Sequence, residues 1–244
     1  MTVRSVTGTG TEVGKTVTTA ALAACASGRV AVVKPAQTGV RDGEPGDLAE
    51  VTRLAGVASC FEFARYPHPL SPHQAAVVSG RKPLLLADAG QRIDDLDADF
   101  DVVLVEGAGG LLVPFDDEDR WTVIDLAHYL HAEVVVVALP GLGTLNHTAL
   151  TLDRLAEEGL DVAGLVIGSW PAEPELVMDL NVEDLVAMAP KRELAGVLPA
   201  GMAAMRDFRQ RARAALAPRF GGTFDSRAFR LAARRRARDT GPAL

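Results

Sequence analysis

Four stretches of this 244-residue chain carry residue types that could handle a phosphate group and its counter-ion. The first is "GTGTEVGKT", Gly8 to Thr16, which follows the apolar "VRSV" and precedes a helix-like run. A Gly-Lys-Thr between a strand and a helix is the pattern of a phosphate-binding loop. There the backbone N–H groups turn inward onto phosphate oxygens and the helix start adds its positive dipole end. Lys15 then reaches the β- and γ-phosphates, and the Thr16 hydroxyl ligates Mg²⁺. The spacing is one residue longer than the usual one, in which four residues separate the first glycine from Gly-Lys-Ser/Thr. Position 9 is Thr9, and the leading glycine is Gly8.

The second stretch is "KPAQTG", Lys34 to Gly39, at the end of an apolar run. A lysine ending a buried strand is costly unless it meets an anion or a carboxylate; the alternative is a surface lysine with a buried stem. The chain has four lysines, Lys15, Lys34, Lys82 and Lys191, against 21 arginines. Two of these four compact point charges stand at apparent strand ends, where they suit phosphate or carbamate oxygens. The third stretch is "EGAGGLLVP", in which Glu106 closes the run "VVLVE" and is placed to ligate a metal beside Thr16. The glycines after it offer backbone amides to an anion. The fourth is "GEPGDLAE", where Asp47 is the best candidate for a third metal oxygen, or else a helix-start acid favoured by the dipole.

Positioning these groups requires strands that end together. Short β-branched runs recur at 3–6, 29–34, 101–107, 133–140, 161–169 and 193–199. They are nearly continuous apolar runs, as expected of strands buried on both faces of a parallel sheet. Helix-like segments lie between them, among them "KTVTTAALAACASG", with Gly28 as its expected C-cap, and "TLNHTALTLDRLAEEG". Residues 41–58 and 88–100 are expected to be helical crossovers. Strand alternating with helix predicts an α/β fold: one doubly wound, mostly parallel β-sheet with helices on both faces, of the P-loop NTPase type. Residues 1–202 are expected to form this domain, followed by a basic helical extension over 203–244, partly disordered. Ligands of such sheets bind beyond the carboxyl ends of the strands, where all four stretches fall.

Charge and composition narrow the function classes. The net charge of −7 is uneven: residues 201–244 hold 11 arginines and three aspartates, leaving −15 on the rest. A basic tail can be a nucleic-acid or membrane arm, but this one has few aromatics to stack bases, and the acidic body would repel phosphate backbones. A solvated terminus is the expected reading, with neither nucleic acid nor membrane as partner. There is no apolar run of membrane-spanning length and no secretory leader, so the chain is expected to be cytoplasmic. Cys25 and Cys60 lack metal-ligand spacing and are expected to be reduced.

Taken in order, "GTGTEVGKT", "KPAQTG", "GDLAE", "VEGAGGLLVP", "GTLNHTALT" and "GLVIGSW" resemble the dethiobiotin synthetases, the ATP-dependent carboxylases of biotin synthesis. The resemblance covers about residues 3–201 and includes the lengthened loop, since this family uses Gly-x5-Gly-Lys-Thr. It implies a homodimer with the substrate site at the subunit interface, Mg²⁺ as cofactor, ATP as co-substrate, and 7,8-diaminononanoate and CO₂ as the other substrates. It implies catalytic roles for Lys34, Lys15 and Thr11 around the carbamate and the transferred phosphoryl group. Thr16, Asp47 and Glu106 match the metal ligands. Nucleotide contacts would come from Glu12, Val13, Gly14, Lys15, Thr16, Val17, Asp47, Glu106, Gly107, Ala108 and Gly109. On the base side the matching positions are Gly168, Ser169, Leu198, Pro199 and Ala200. Substrate contacts would come from Thr38, Gly109 and Gly110, with Leu145 and Asn146 supplied by the partner subunit.

Two positions depart from the family pattern. Gly10 stands where many members carry an aspartate near the metal, and Ser169 stands where an asparagine usually reads the adenine. A hydroxyl has fewer donors and acceptors than an amide, so weaker discrimination between bases is expected. Two rival readings share the loop. A partition-type switch ATPase would carry a lysine near the loop start, where this chain has Thr9. A carboxylate-activating amidation synthetase would need a glutaminase domain with a nucleophilic cysteine, for which there is no room.

Overall fold

The structure is a computed structural model and describes residues 1–240. Its elements alternate from the start. β1 (Thr2–Gly8) leads through the glycine loop into α1 (Lys15–Cys25), followed by β2 (Val30–Thr38), α2 (Asp47–Ala55) and β3 (Cys60–Tyr66). After α3 (Pro72–Ser79) and α4 (Leu86–Asp94) come β4 (Val102–Glu106), α5 (Val123–Tyr129), β5 (Glu133–Ala138) and α6 (Thr144–Glu157). The chain continues through β6 (Val162–Trp170), α7 (Leu176–Met188), β7 (Gly196–Pro199), α8 (Phe208–Ala215) and α9 (Ser226–Thr240).

The seven strands form one sheet in the order β3-β2-β4-β1-β5-β6-β7, and every pairing between them is parallel. Alternation along each strand sends side chains to two cores. Val33, Val105, Val136 and Ile167 face the layer of α3 to α7 and α9, whereas Val32, Leu104, Val135 and Val166 face α1, α2 and α8. The chain leaves β1 in one direction to build β2 and β3, then inserts β4, and crosses to β5 on the other side. That reversal puts a topological switch point beside β1, where ligands of open α/β sheets bind.

Three sequence expectations need correction. The strand expected to end at Lys34 runs on to Thr38 because residues beyond Lys34 pair with β3, which places the lysine inside β2. One strand, β3, is absent from the apolar runs because Glu62 and Arg65 interrupt "CFEFARY", whose residues are mostly half-buried at the edge of the sheet. The helix after the loop ends at Cys25 with Ala26 as its cap, and Gly28 instead takes the left-handed turn at φ +89° that follows. The expected crossovers contain α2 and overlap α4.

The basic extension is folded against the domain over its described part, with residues 241–244 lying outside the described residues. Phe208, Ala212 and Ala215 of α8 are buried in the α1 core, and the loop after α8 returns so closely to α1 that a Cβ on Gly221 would fall 2.3 Å from the Cys25 carbonyl oxygen. On the other face α9 packs on α7. There Arg230 and Arg234 bind Glu183, Arg236 binds Asp179, and Ala233 is fully buried. Both cysteines are free and half-buried. No helix among the described residues is long and apolar enough to cross a membrane.

Candidate active site

The first strand ends in the glycine loop because larger residues would not fit its close approaches. Gly14 sits at φ +96°, a region L side chains avoid, and a Cβ there would lie 2.5 Å from the Gly168 carbonyl oxygen. A Cβ on Gly168 would in turn lie 2.1 Å from the Val13 carbonyl oxygen. The loop and the end of β6 are therefore in backbone contact, which explains a glycine at 168. Glu12 also adopts positive φ, at 59°.

Val33 on β2 pairs with Val105 on β4, so the next residues, Lys34 and Glu106, emerge side by side on the α1/α2 face. Lys34 Nζ donates to Glu106 Oε1 at 2.7 Å and to the Gly107 carbonyl at 3.2 Å, and lies 2.7 Å from Asp47 Oδ2. Thr16 Oγ1 donates to the same Glu106 oxygen at 2.9 Å. Asp47 is delivered by the first residue of α2, whose N–H donates to Gln37 Oε1 at 2.8 Å. Gly46 permits this, because a Cβ there would meet the Gln37 amide oxygen at 2.6 Å. Gln37, buried within "KPAQT", is a positioning residue that sequence reasoning missed.

Electrostatics follow from burial. Lys34 and Glu106 are 4% and 1% exposed. Burial opposes the Lys34 charge, but Glu106 and Asp47 together outweigh it and hold its pKa above the ordinary lysine value. Lys15, whose ammonium donates to the Gly10 carbonyl at 2.8 Å, has fewer compensating partners. Burial first, and nearby Lys34 second, push its pKa down to about 8, against the pull of Glu106 and Asp47. A phosphate arriving here would supply the missing countercharge.

The donor set suits a hard divalent cation. Thr16, Asp47 and Glu106 offer a hydroxyl and two carboxylates, and the second Glu106 oxygen, Oε2, is buried without a hydrogen-bond partner. Among the described residues no cluster of three or more His, Cys, Asp or Glu side chains is built to hold a metal. One hydroxyl and two carboxylates are a set that Mg²⁺ accepts, since it takes one or two carboxylates and leaves its other positions to water and phosphate oxygens.

A cleft of about 670 Å³ gathers most of the expected residues. It is lined by Thr11, Glu12, Gly14, Lys15, Thr16 and Val17 from the loop and α1, by Lys34 and Thr38, by Asp47, and by Glu106, Ala108 and Gly109. The turn from Pro69 to Pro72 closes one side, a contribution without a chemical signature in the sequence. Gly110 packs against the glycine loop, where its Cβ position lies 3.6 Å from the Gly8 carbonyl oxygen. A second cavity of about 580 Å³ opens on the other side of the loop, between β5–α6 and β6–α7. Val13, Ser169 and Ala200 line it, with Leu139, Thr144 and Met178. Pro199 pairs in register with Trp170, and Leu198 is fully buried beneath. Leu145 and Asn146 lie on the first turn of α6 and line neither cavity of the single chain.

A glycine loop feeding a helix, with a basic side chain on the next strand and a set of oxygen donors beside it, defines a phosphate-loop nucleotide-binding protein on a doubly wound sheet. Solved structures agree on the fold. The MinD cell division protein of Aquifex aeolicus matches with a TM-score of 0.51 at 16% identity, covering 100% of both chains. A ParA family ATPase from Chlorobium tepidum matches with a TM-score of 0.51 at 12% identity, covering 86% of this chain and 88% of its own. A family profile described as an AAA domain matches residues 5–205. The "ATP-dependent dethiobiotin synthetase BioD" of Frankia casuarinae is 54% identical over 235 residues, covering 94% of this chain and 98% of its own. The protein of the same name from Saccharopolyspora erythraea is 54% identical over 225 residues, covering 91% and 98%. The chain belongs to the ATP-dependent dethiobiotin synthetase family.

Proposed function

We propose that the chain condenses 7,8-diaminononanoate with CO₂ at the expense of ATP, giving dethiobiotin, ADP and phosphate. The observation that carries this reading is the position of Lys34, an ammonium buried within β2, 2.7 Å from each of two carboxylates in the cleft that also holds the glycine loop. Such a group can neutralise an anionic substrate and the phosphoryl group moving toward it.

The chemistry needs charge control more than covalent participation by the protein. One amine of the substrate attacks CO₂, forming an N–C bond and losing a proton, to give a carbamate. A carbamate oxygen attacks the γ-phosphorus, the bond to the β–γ bridging oxygen breaks, and ADP leaves. The second amine attacks the carbamoyl carbon, closing the five-membered ring and expelling phosphate. Lys34 would hold the carbamate and the transferred phosphoryl oxygens. Lys15 would hold the β- and γ-phosphates together with the N–H groups of the loop, and Thr11 would donate at the same junction. Thr38 and the Gly109 and Gly110 amides would orient the diamine end. A bound Mg²⁺, held by Thr16, Asp47 and Glu106, would neutralise the phosphate charge. The base would be read between Ser169 and the segment Leu198–Ala200.

A homodimer is part of this reading. Leu142, just before α6, is 92% exposed, and Leu112 and Leu150 are 59% and 62% exposed. Such bare apolar side chains fit a seam between copies of the chain. Across it the first turn of α6, with Leu145 and Asn146, would come from the partner subunit and receive the substrate carboxylate on its backbone amides. The reading is tested by following labelled bicarbonate into an acid-stable product. Incorporation must require ATP, Mg²⁺ and 7,8-diaminononanoate together. A product lacking the label, or formed without the diamine, would overturn it.

A further inference from the structure

The arginine-rich α9 is joined to the wall of the second cavity through one indole. Phe229 meets the Trp170 ring edge-on, with centroids 4.9 Å apart and planes at 80°. From the same helix the Arg236 guanidinium carbon lies 5.8 Å from the Trp170 centroid. Arg236 is itself fixed, donating from Nε at 3.0 Å and from Nη2 at 2.6 Å to Asp179 Oδ1 on α7. The Asp179 side chain is 3% exposed, so it depends on that guanidinium for its charge to be tolerated.

Trp170 is the residue after Ser169, and its carbonyl accepts the Ala200 N–H at 2.7 Å. Its backbone thus ties the end of β6 to the segment after β7, while its side chain ties both to α9. Met178, next to Asp179, lines the cavity with Ser169 and Ala200. The side-chain hydrogen bonds of Lys15, Lys34 and Glu106, by contrast, all end on residues outside α9.

We propose that α9 is a strap that fixes the base-side wall of the nucleotide site. Phe229, Arg236 and Asp179 act as positioning residues, setting nucleotide affinity and base preference through Trp170 and Ser169. The inference rests on the reading of Ser169 as a base contact. The physical cause is preorganisation: with the indole clamped on two sides, the neighbouring hydroxyl has one position, and a base meets it without an ordering cost at binding. The phosphate-side groups keep their geometry either way, so the chemical step is untouched.

The test compares Phe229→Ala, Phe229→Leu, Arg236→Gln and Ser169→Ala in the full-length chain. Each variant is measured for kcat, for the KM of the diamine, and for the KM of ATP, GTP and CTP, with thermal unfolding as the fold check. The expected result is a rise of roughly fivefold or more in the KM of ATP for Phe229→Ala and Arg236→Gln, with an altered ranking of the bases. Values of kcat and of the diamine KM should stay within about twofold, and Phe229→Leu should recover part of the loss because it keeps apolar contact with the indole. Should Phe229→Ala fail to fold, Phe229→Leu and Arg236→Lys carry the same comparison. The proposal is overturned if the folded strap variants keep the nucleotide KM and base ranking while Ser169→Ala changes them. If Ser169→Ala itself leaves the base ranking unchanged, the base reading fails and the proposal with it.

Discussion

Lys34 Nζ lies 2.7 Å from Glu106 Oε1, and the pair is buried where β2 leaves its pairing with β4, whose last residue is Glu106. Glu106 and Asp47 are also the proposed carboxylates of the cation niche. The lysine ammonium is therefore a countercharge to the same two carboxylates.

Replacing Lys34 with Met should expose this dual use. Removing one partner of a buried ion pair costs about 3–5 kcal/mol, because the remaining charge is left unpaired. For a chain of this size that is on the order of 10 °C in Tm. Mg²⁺ should restore part of the loss by supplying another cation, so its stabilisation of Lys34→Met should exceed that of the parent. Thermal unfolding with a chelator and with saturating Mg²⁺ checks this. Equal metal shifts in the two proteins would contradict it.

The backbone contact between Gly14 and Gly168 makes a second site sensitive. A Cβ at 168 would lie 2.1 Å from the Val13 carbonyl oxygen and 2.6 Å from Val137 Cγ1, so Gly168→Ala must displace the glycine loop. Overpacking of this kind costs about 1–3 kcal/mol. Nucleotide affinity should fall by roughly tenfold, the equivalent of about 1.4 kcal/mol. Calorimetric titration with ADP checks this, and parental affinity in the variant would refute the proposed contact between loop and strand end.

Ser169 should read bases loosely. Its hydroxyl offers one donor and two acceptor lone pairs, whereas an asparagine amide presents a distinct donor and acceptor to the base edge. In a panel of nucleoside triphosphates at equal concentration, several should support turnover. Activity with ATP alone would sink this expectation.

The two thiols should be inert near neutrality. Burial raises the pKa of Cys25, against the opposing charges of Arg213 and Arg209, and burial raises that of Cys60, against the Thr52 hydroxyl. A raised pKa shrinks the thiolate fraction, the reactive form, at any pH below it. Modification by a thiol reagent should be slow near pH 7.5 and accelerate as pH climbs through about 9 and beyond. Rapid modification at neutral pH would show one of these environments to be wrong.

The residues that line the cleft were partly legible, because the glycine loop, Lys34 and Glu106 each stand where an apolar run stops in the sequence. Lys34 and Glu106 are conspicuous because each follows an apolar run, where charge needs a reason, although only Glu106 closes its strand and β2 continues to Thr38. Asp47 was legible only as one of two readings, and what joins it to the others is Gln37, whose hydrogen bond links positions ten residues apart. The second cavity was less visible, because Leu139, Pro140, Leu142 and Met178 are ordinary apolar residues until the fold makes them neighbours. The strand β3 escaped notice because Glu62 and Arg65 interrupt its apolar residues, so it lacks the continuous apolar signature of the inner strands. The contacts of α9 escaped for a related reason: a run of arginines reads as solvated until Asp179 and Glu183 are placed opposite it.

The most direct test of the central claim is phosphate release with ATP, Mg²⁺ and bicarbonate, with and without 7,8-diaminononanoate, for the parent chain and Lys34→Ala. The account predicts release that requires the diamine and is lost by at least about a hundredfold in the variant, as for removal of a charge-stabilising group at a reacting centre. Hydrolysis indifferent to the diamine, or a Lys34→Ala protein with parental diamine-dependent turnover, would contradict it.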